Sequence, residues 1–169
     1  MKKSCVVIGY GGMGGWHTRH ILEKGVVELA GIYDIKKERC DLARENGIHA
    51  YSSFEAVLAD EKVDFIVIAT PNEWHKPLAI AALRAGKHVI SEKPVTLSSA
   101  DLLEICAVAD ECGKLFTAHQ NRRFDPDYRM TRIAYHSGKL GRITSVESRY
   151  QGSRGIPATG AARRSTAAA

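Results

Sequence analysis

The sequence predicts an α/β protein built on a doubly wound parallel sheet. Three observations predict it. Short β-branched runs alternate with stretches of helical spacing, glycines close most of those stretches, and a glycine-rich turn joins the first run to the first helix. Strands that alternate with helices pair in parallel, with right-handed crossovers and helices on both faces. At 169 residues there is room for one domain, or for one domain and part of a second.

Each element has its own signal. Ser4–Tyr10 (SCVVIGY) reads as a buried strand, and Met13–Lys24 as a helix stopped by Gly25. Val26–Tyr33 is a second strand ending at Asp34, and Lys36–Asn46 a helix closed by Gly47. Ser52 and Ser53 can cap a short helix through Leu58, with Glu55 near its positive end. Asp64–Thr70 (DFIVIAT) is the clearest buried strand, and Pro71 stops it. Glu73–Ala85 is helical to Gly86, and His88–Ser91 is again a strand. Ser98 or Ser99 caps a helix over Ala100–Glu111 that Gly113 ends, and Leu115–His119 is a last strand. The sheet unit is complete by about residue 120. Beyond it, Pro126–His136 predicts a helix, Gly138 and Gly141 flank a turn, and the alternation over Arg142–Tyr150 predicts a half-buried strand. From Ala158 the chain is small and polar without periodicity, and disorder is expected there.

Composition excludes several classes. The formal net charge of +5 suits anionic ligands. Lysines and arginines are scattered rather than interleaved with aromatics, which argues against nucleic acid. Cys5, Cys40, Cys106 and Cys112 form no C-x-x-C pair, so no metal site is expected and the thiols read as idle in a reducing cytosol. No run approaches the roughly 20 apolar residues of a membrane span. The apolar run after Met1-Lys2-Lys3 is too short for a signal peptide. The expectation is a soluble, cytoplasmic protein with no membrane partner.

The candidate site lies at the strand ends. Gly9, Gly11 and Gly14, with Gly12 and Met13 between the last two, form G-x-G-x-x-G directly after a strand and opening a helix. Gly9 permits the tight turn, Gly11 lets a pyrophosphate approach the backbone, and Gly14 allows close packing of helix on strand. The helix N-terminus offers free N–H groups to phosphate. Asp34 stands twenty residues beyond Gly14, where a carboxylate accepts from ribose hydroxyls and repels a 2′-phosphate. This is a Rossmann fingerprint for NAD, with NADP kept open by Lys36 and Lys37. S-adenosylmethionine also uses a glycine-rich first turn, but the spacing through Gly14 suits a dinucleotide better. A helix cap is the plain structural alternative for Asp34. Two more strand ends are polar: Thr70-Pro71-Asn72, with His75 one turn on, and Ser91-Glu92-Lys93-Pro94. A lysine at the mouth of a cofactor crevice can bond a substrate oxygen and assist its proton transfer.

Together, G-Y-G-G-M-G with Asp34, A-T-P-N-E-W-H and S-E-K-P-V-T resemble the glucose–fructose oxidoreductase, inositol dehydrogenase and MocA family, from about Lys3 to Pro157. The resemblance implies a Rossmann domain over 1–120 and the start of an incomplete α+β substrate and oligomerisation domain over 121–157. It implies hydride transfer between NAD(P) and a sugar, inositol or related polyol or carbonyl compound, and a homo-oligomer formed through the second domain. Lys93 would be the catalytic group. Glu92 and Pro94 would shape the pocket near nicotinamide. Thr70, Pro71, Asn72 and His75 would line the adenosine-pyrophosphate side, and Asn121 or Arg122 would reach cofactor or substrate from the crossover His119-Gln120-Asn121-Arg122. For His75 and His119 a structural role stands equally open.

The family's second-domain Asp-x-x-x-His segment has no counterpart in the sequence, and the expectation is a truncated chain that binds dinucleotide without useful turnover. Read one base out of phase, the tail after Pro157 can encode G-D-W-R-G-K-E-K-H-G-G-G, so a one-base deletion near codon 157 is expected. The competing classes are a non-catalytic dinucleotide-binding module and an interaction protein.

Overall fold

The computed structural model describes residues 2–149. The strands are β1 (Ser4–Ile8), β2 (Glu28–Tyr33), β3 (Phe65–Ile68), β4 (His88–Ser91) and β5 (Phe116–Ala118). The helices are α1 (Gly12–Lys24), α2 (Lys37–Glu45), α3 (Phe54–Ala59), α4 (His75–Arg84), α5 (Ser99–Glu111) and α6 (Pro126–His136). The five strands form one sheet in the order β2-β1-β3-β4-β5, and every pairing is parallel. The chain winds outward from β1 to β2, then returns to β3 and winds the other way. The order therefore reverses between β1 and β3, which is where a Rossmann sheet opens its ligand crevice.

Alternate residues of the central strands supply two cores. Val6, Ile8, Ile66, Ile68 and Val89 pack with Val57, Leu83 and Ile105 from α3, α4 and α5. Val7, Ile32 and Val67 pack with Cys40 and Ala43 of α2. This is why the strands read as continuous apolar runs: both faces are covered. β1, β3 and β5 end one or two residues earlier than the sequence predicts, β2 starts two residues later, and β4 matches its predicted span. Gly9 leaves the first strand with φ +90°, and a Cβ there would stand 2.7 Å from the Ala69 carbonyl oxygen. Ser53 and Ser98 cap α3 and α5 by accepting from the N–H groups of Ala56 and Asp101.

Residues through Arg123 form one compact unit, and a second begins at Phe124. In the second, α6 has Pro126 in its first turn and no buried residue. The strand expected over Arg142–Tyr150 is absent from the described part, 142–149. Alternation creates a strand only where a partner supplies the ladder bonds, and no strand pairs with this segment among the described residues. The tail beyond Ala158 and the reading-frame expectation lie outside the described residues. No described helix is long and apolar enough to cross a membrane.

Candidate functional site

The glycine turn sits between the end of β1 and the N-terminus of α1. Gly14 is buried, and a Cβ on it would collide with the Gly9 carbonyl oxygen, so helix and strand touch through backbone alone. Gly11 is the N-cap, no side chain caps the helix start, and the first turn carries no acidic residue. Its N–H groups and positive dipole end are thus left for an anion. Gly12 and Met13 are exposed beside it. A shallow cavity of about 520 Å³ flanks this turn, lined by Tyr10, Gly11, Gly12, Thr18, Leu42 and Ile48 among others. A second cavity, of about 790 Å³, opens at the opposite end of the strands around Lys3, Glu28 and Tyr51, away from all of these groups.

Asp34 follows β2 and is only 6% exposed. Its Oδ2 accepts from the Tyr10 N–H at 2.7 Å and its Oδ1 from the Lys36 N–H at 2.9 Å. Arg39 donates to Oδ2 at 3.1 Å. The helix-cap alternative does not describe this geometry, because Lys36 occupies the N-cap position of α2 and no side chain caps that helix. Asp34 instead ties the glycine turn to the end of β2. Arg39 escaped the sequence reading. Its guanidinium also lies over Gly11, where a Cβ would stand 3.2 Å from Nη1. The one available signal was an arginine five residues past the carboxylate, and spacing does not say that it folds back.

The other half of the crevice is built at the ends of β3 and β4. Thr70 is half-buried, while Pro71 and Asn72 are exposed. His75 is 1% exposed, and its ring nitrogens lie 2.9 Å from the carbonyl oxygens of Thr70 and Pro94. The ring straps the two strand-end loops together from beneath. Lys93 is exposed, forms a cis peptide with Pro94, and donates from Nζ to Asn121 Oδ1 at 2.6 Å.

Glu92 is buried, with Oε1 at 2.7 Å from His17 Nε2 and 2.8 Å from His119 Nδ1. Burial pushes its carboxyl up, but the His17 bond, the Lys93 N–H and the adjacent imidazoles outweigh that and leave it below the usual carboxylate range. Burial holds the His17 imidazole below its ordinary value, helped by the nearby His119 and only partly offset by Glu92. His17, Glu92 and His119 are a donor set that transition metals accept. The two nitrogens, however, lie nearer the shared oxygen than the roughly 3.3 Å that separates ligands around tetrahedral zinc. The geometry is that of hydrogen bonds.

An open parallel sheet with a bare helix N-terminus at its first strand and a buried carboxylate at its second defines a dinucleotide-binding α/β protein. Residues 3–120 match the model of the Gfo/Idh/MocA group, described as an oxidoreductase family with an NAD-binding Rossmann fold, and the chain belongs to that family. It is 37% identical over 137 residues to the uncharacterized oxidoreductase YhhX of Escherichia coli, covering 80% of this chain and 36% of the relative. It is 32% identical over 141 residues to an inositol 2-dehydrogenase of Corynebacterium glutamicum, covering 81% and 42%. Among solved structures, an NAD-binding protein from Listeria innocua is 48% identical with a TM-score of 0.78, over 83% of this chain and 42% of that one. The chain thus spans about two fifths of the length of these relatives.

Proposed function

We propose that this chain forms the cofactor half of an NAD-dependent oxidoreductase that moves a hydride between NAD and the carbinol carbon of a small polyol, inositol or sugar. In this reading residues 1–120 are the cofactor domain and residues 121–157 begin the substrate and subunit-pairing domain. The observation that carries it is the placement of Lys93. It stands at the carboxyl end of β4, across the β1/β3 switch point from Asp34, and Asn121 holds its Nζ.

The chain's own groups divide the task. Gly9, Gly11, Gly12, Met13 and Gly14 receive the pyrophosphate on the bare start of α1. Asp34 reads the adenosine ribose, and Thr70, Pro71 and Asn72 line the crevice between the two ends. His75 acts through the loops it straps. Bound NAD supplies the hydride acceptor at its nicotinamide ring. Lys93 bonds the substrate oxygen, takes its proton as the alcohol becomes a carbonyl, and returns it in reduction. Asn121 orients Nζ for that exchange. Inositol 2-dehydrogenase among the relatives supports the polyol class.

The experiment pairs NADH titration with NAD reduction over a panel of inositols and sugars, for the chain and its Lys93→Met variant. Saturable NADH binding is expected in both, and any polyol-dependent reduction is lost in the variant. Absence of NADH binding, or turnover that survives Lys93→Met, overturns the reading.

A further inference from the structure

Two imidazoles distant in sequence converge on one carboxylate oxygen. His17 comes from the first turns of α1, Glu92 follows β4, and His119 follows β5. A carboxylate only accepts, so both rings donate to Oε1: His17 through Nε2–H at 2.7 Å and His119 through Nδ1–H at 2.8 Å. Glu92 Oε2 accepts the Lys93 backbone N–H at 3.2 Å. The residue before Lys93 is therefore gripped on both carboxylate oxygens.

The side chains of His17 and Glu92 are 10% and 8% exposed, and that of His119 is 22% exposed. One ring would satisfy Oε1. The second ties a further element to it, and α1 is the helix whose start faces the pyrophosphate. The two rings also meet edge to face, with centroids 4.7 Å apart.

We propose that His17 and His119 are positioning residues for the nicotinamide half of the crevice. By clamping Glu92 they lock α1 to the ends of β4 and β5, and so fix where Lys93 stands relative to the pyrophosphate turn. This rests on the dinucleotide reading above. Both histidines act through Glu92. A binding group is only as well placed as the side chains that support it.

The test uses the full chain with two ligands that differ only at the nicotinamide: NADH, and ADP-ribose, which lacks it. Affinities are measured for the wild type, His17→Ala, His119→Ala and the variants His17→Gln and His119→Asn, whose amides keep one donor near the lost ring N–H. The alanine variants are expected to weaken NADH by about tenfold, the scale of one lost bond to a charged group, and to leave ADP-ribose nearly unchanged. The amide variants are expected to recover most of the NADH affinity. If His17→Ala does not fold, His119→Phe at the partly exposed ring carries the test, keeping a planar ring without the donor, and is expected to match His119→Ala. Equal loss of both ligands, or no loss of either, overturns the clamp's role. A wild type that binds neither ligand overturns the dinucleotide reading itself, and the clamp with it.

Discussion

Asp34→Asn tests whether the carboxylate proposed to read the ribose is also a structural tie. The two backbone donors approach different oxygens: Tyr10 N–H meets Oδ2 and Lys36 N–H meets Oδ1. Asparagine offers one oxygen and one NH₂ in the same shape. Whichever way the amide turns, one N–H faces another donor. At 6% exposure, water is poorly placed to repair the mismatch. A buried donor left unpaired costs about 1–3 kcal/mol, a large part of a typical total of about 5–15 kcal/mol. With a urea slope of about 1–3 kcal/mol per molar, the unfolding midpoint falls by roughly 1 M at unchanged slope. The assay is urea denaturation followed by circular dichroism, with NADH and NADPH titrations alongside. The titrations should show NADH weakened and the preference moved towards NADPH, because the charge that repels a 2′-phosphate is gone. An unchanged midpoint would refute the view that Asp34 holds the glycine turn to β2.

Three other outcomes follow from the same geometry. Arg39→Ala removes the guanidinium beside Asp34 and over Gly11, and should weaken NADPH by about tenfold to a hundredfold, the range of a lost charge-assisted bond, while NADH changes only a few-fold; parallel titrations decide. Gly14→Ala should prevent α1 from seating on β1, seen as a large fall in melting temperature together with loss of NADH binding. Acid should destabilise the fold: His17 is held uncharged by burial, below its ordinary value of 6.5, so the unfolded chain takes up a proton first and stability is lost as pH falls below about 6.5. The lowered Glu92 carboxyl adds a second loss as pH falls below its ordinary value of about 4.5. Melting temperatures across this range should drop, with a shallower slope above pH 5 in His17→Gln.

Much of the fold was legible because its signals are local. The β-branched runs of β1 and β3, the glycines after α1 and α5 and the serine caps each act within a few residues. The placement of the glycine turn and Asp34 at adjoining strand ends was legible because a fixed spacing sets it. What escaped depends on packing between distant positions. His17 and Glu92 are 75 residues apart, and nothing in the sequence of α1 says which of its faces meets the end of β4. Arg39 reads as an ordinary surface residue of α2 until the helix folds its guanidinium over Gly11. The alternation over Arg142–Tyr150 marks a surface ready to pair, and pairing needs a neighbour that a one-strand pattern does not contain.

The proposed function requires a dinucleotide to lie across the carboxyl ends of the strands, with its pyrophosphate on the start of α1. The most direct measurement is a titration of the isotope-labelled chain with NADH, followed through backbone amide resonances. Shifts should concentrate at Gly9–Gly14, Asp34, Thr70, Asn72 and Lys93, and the cavity around Lys3, Glu28 and Tyr51 should stay silent. Shifts confined to that opposite cavity, or none at saturating NADH, would contradict the account.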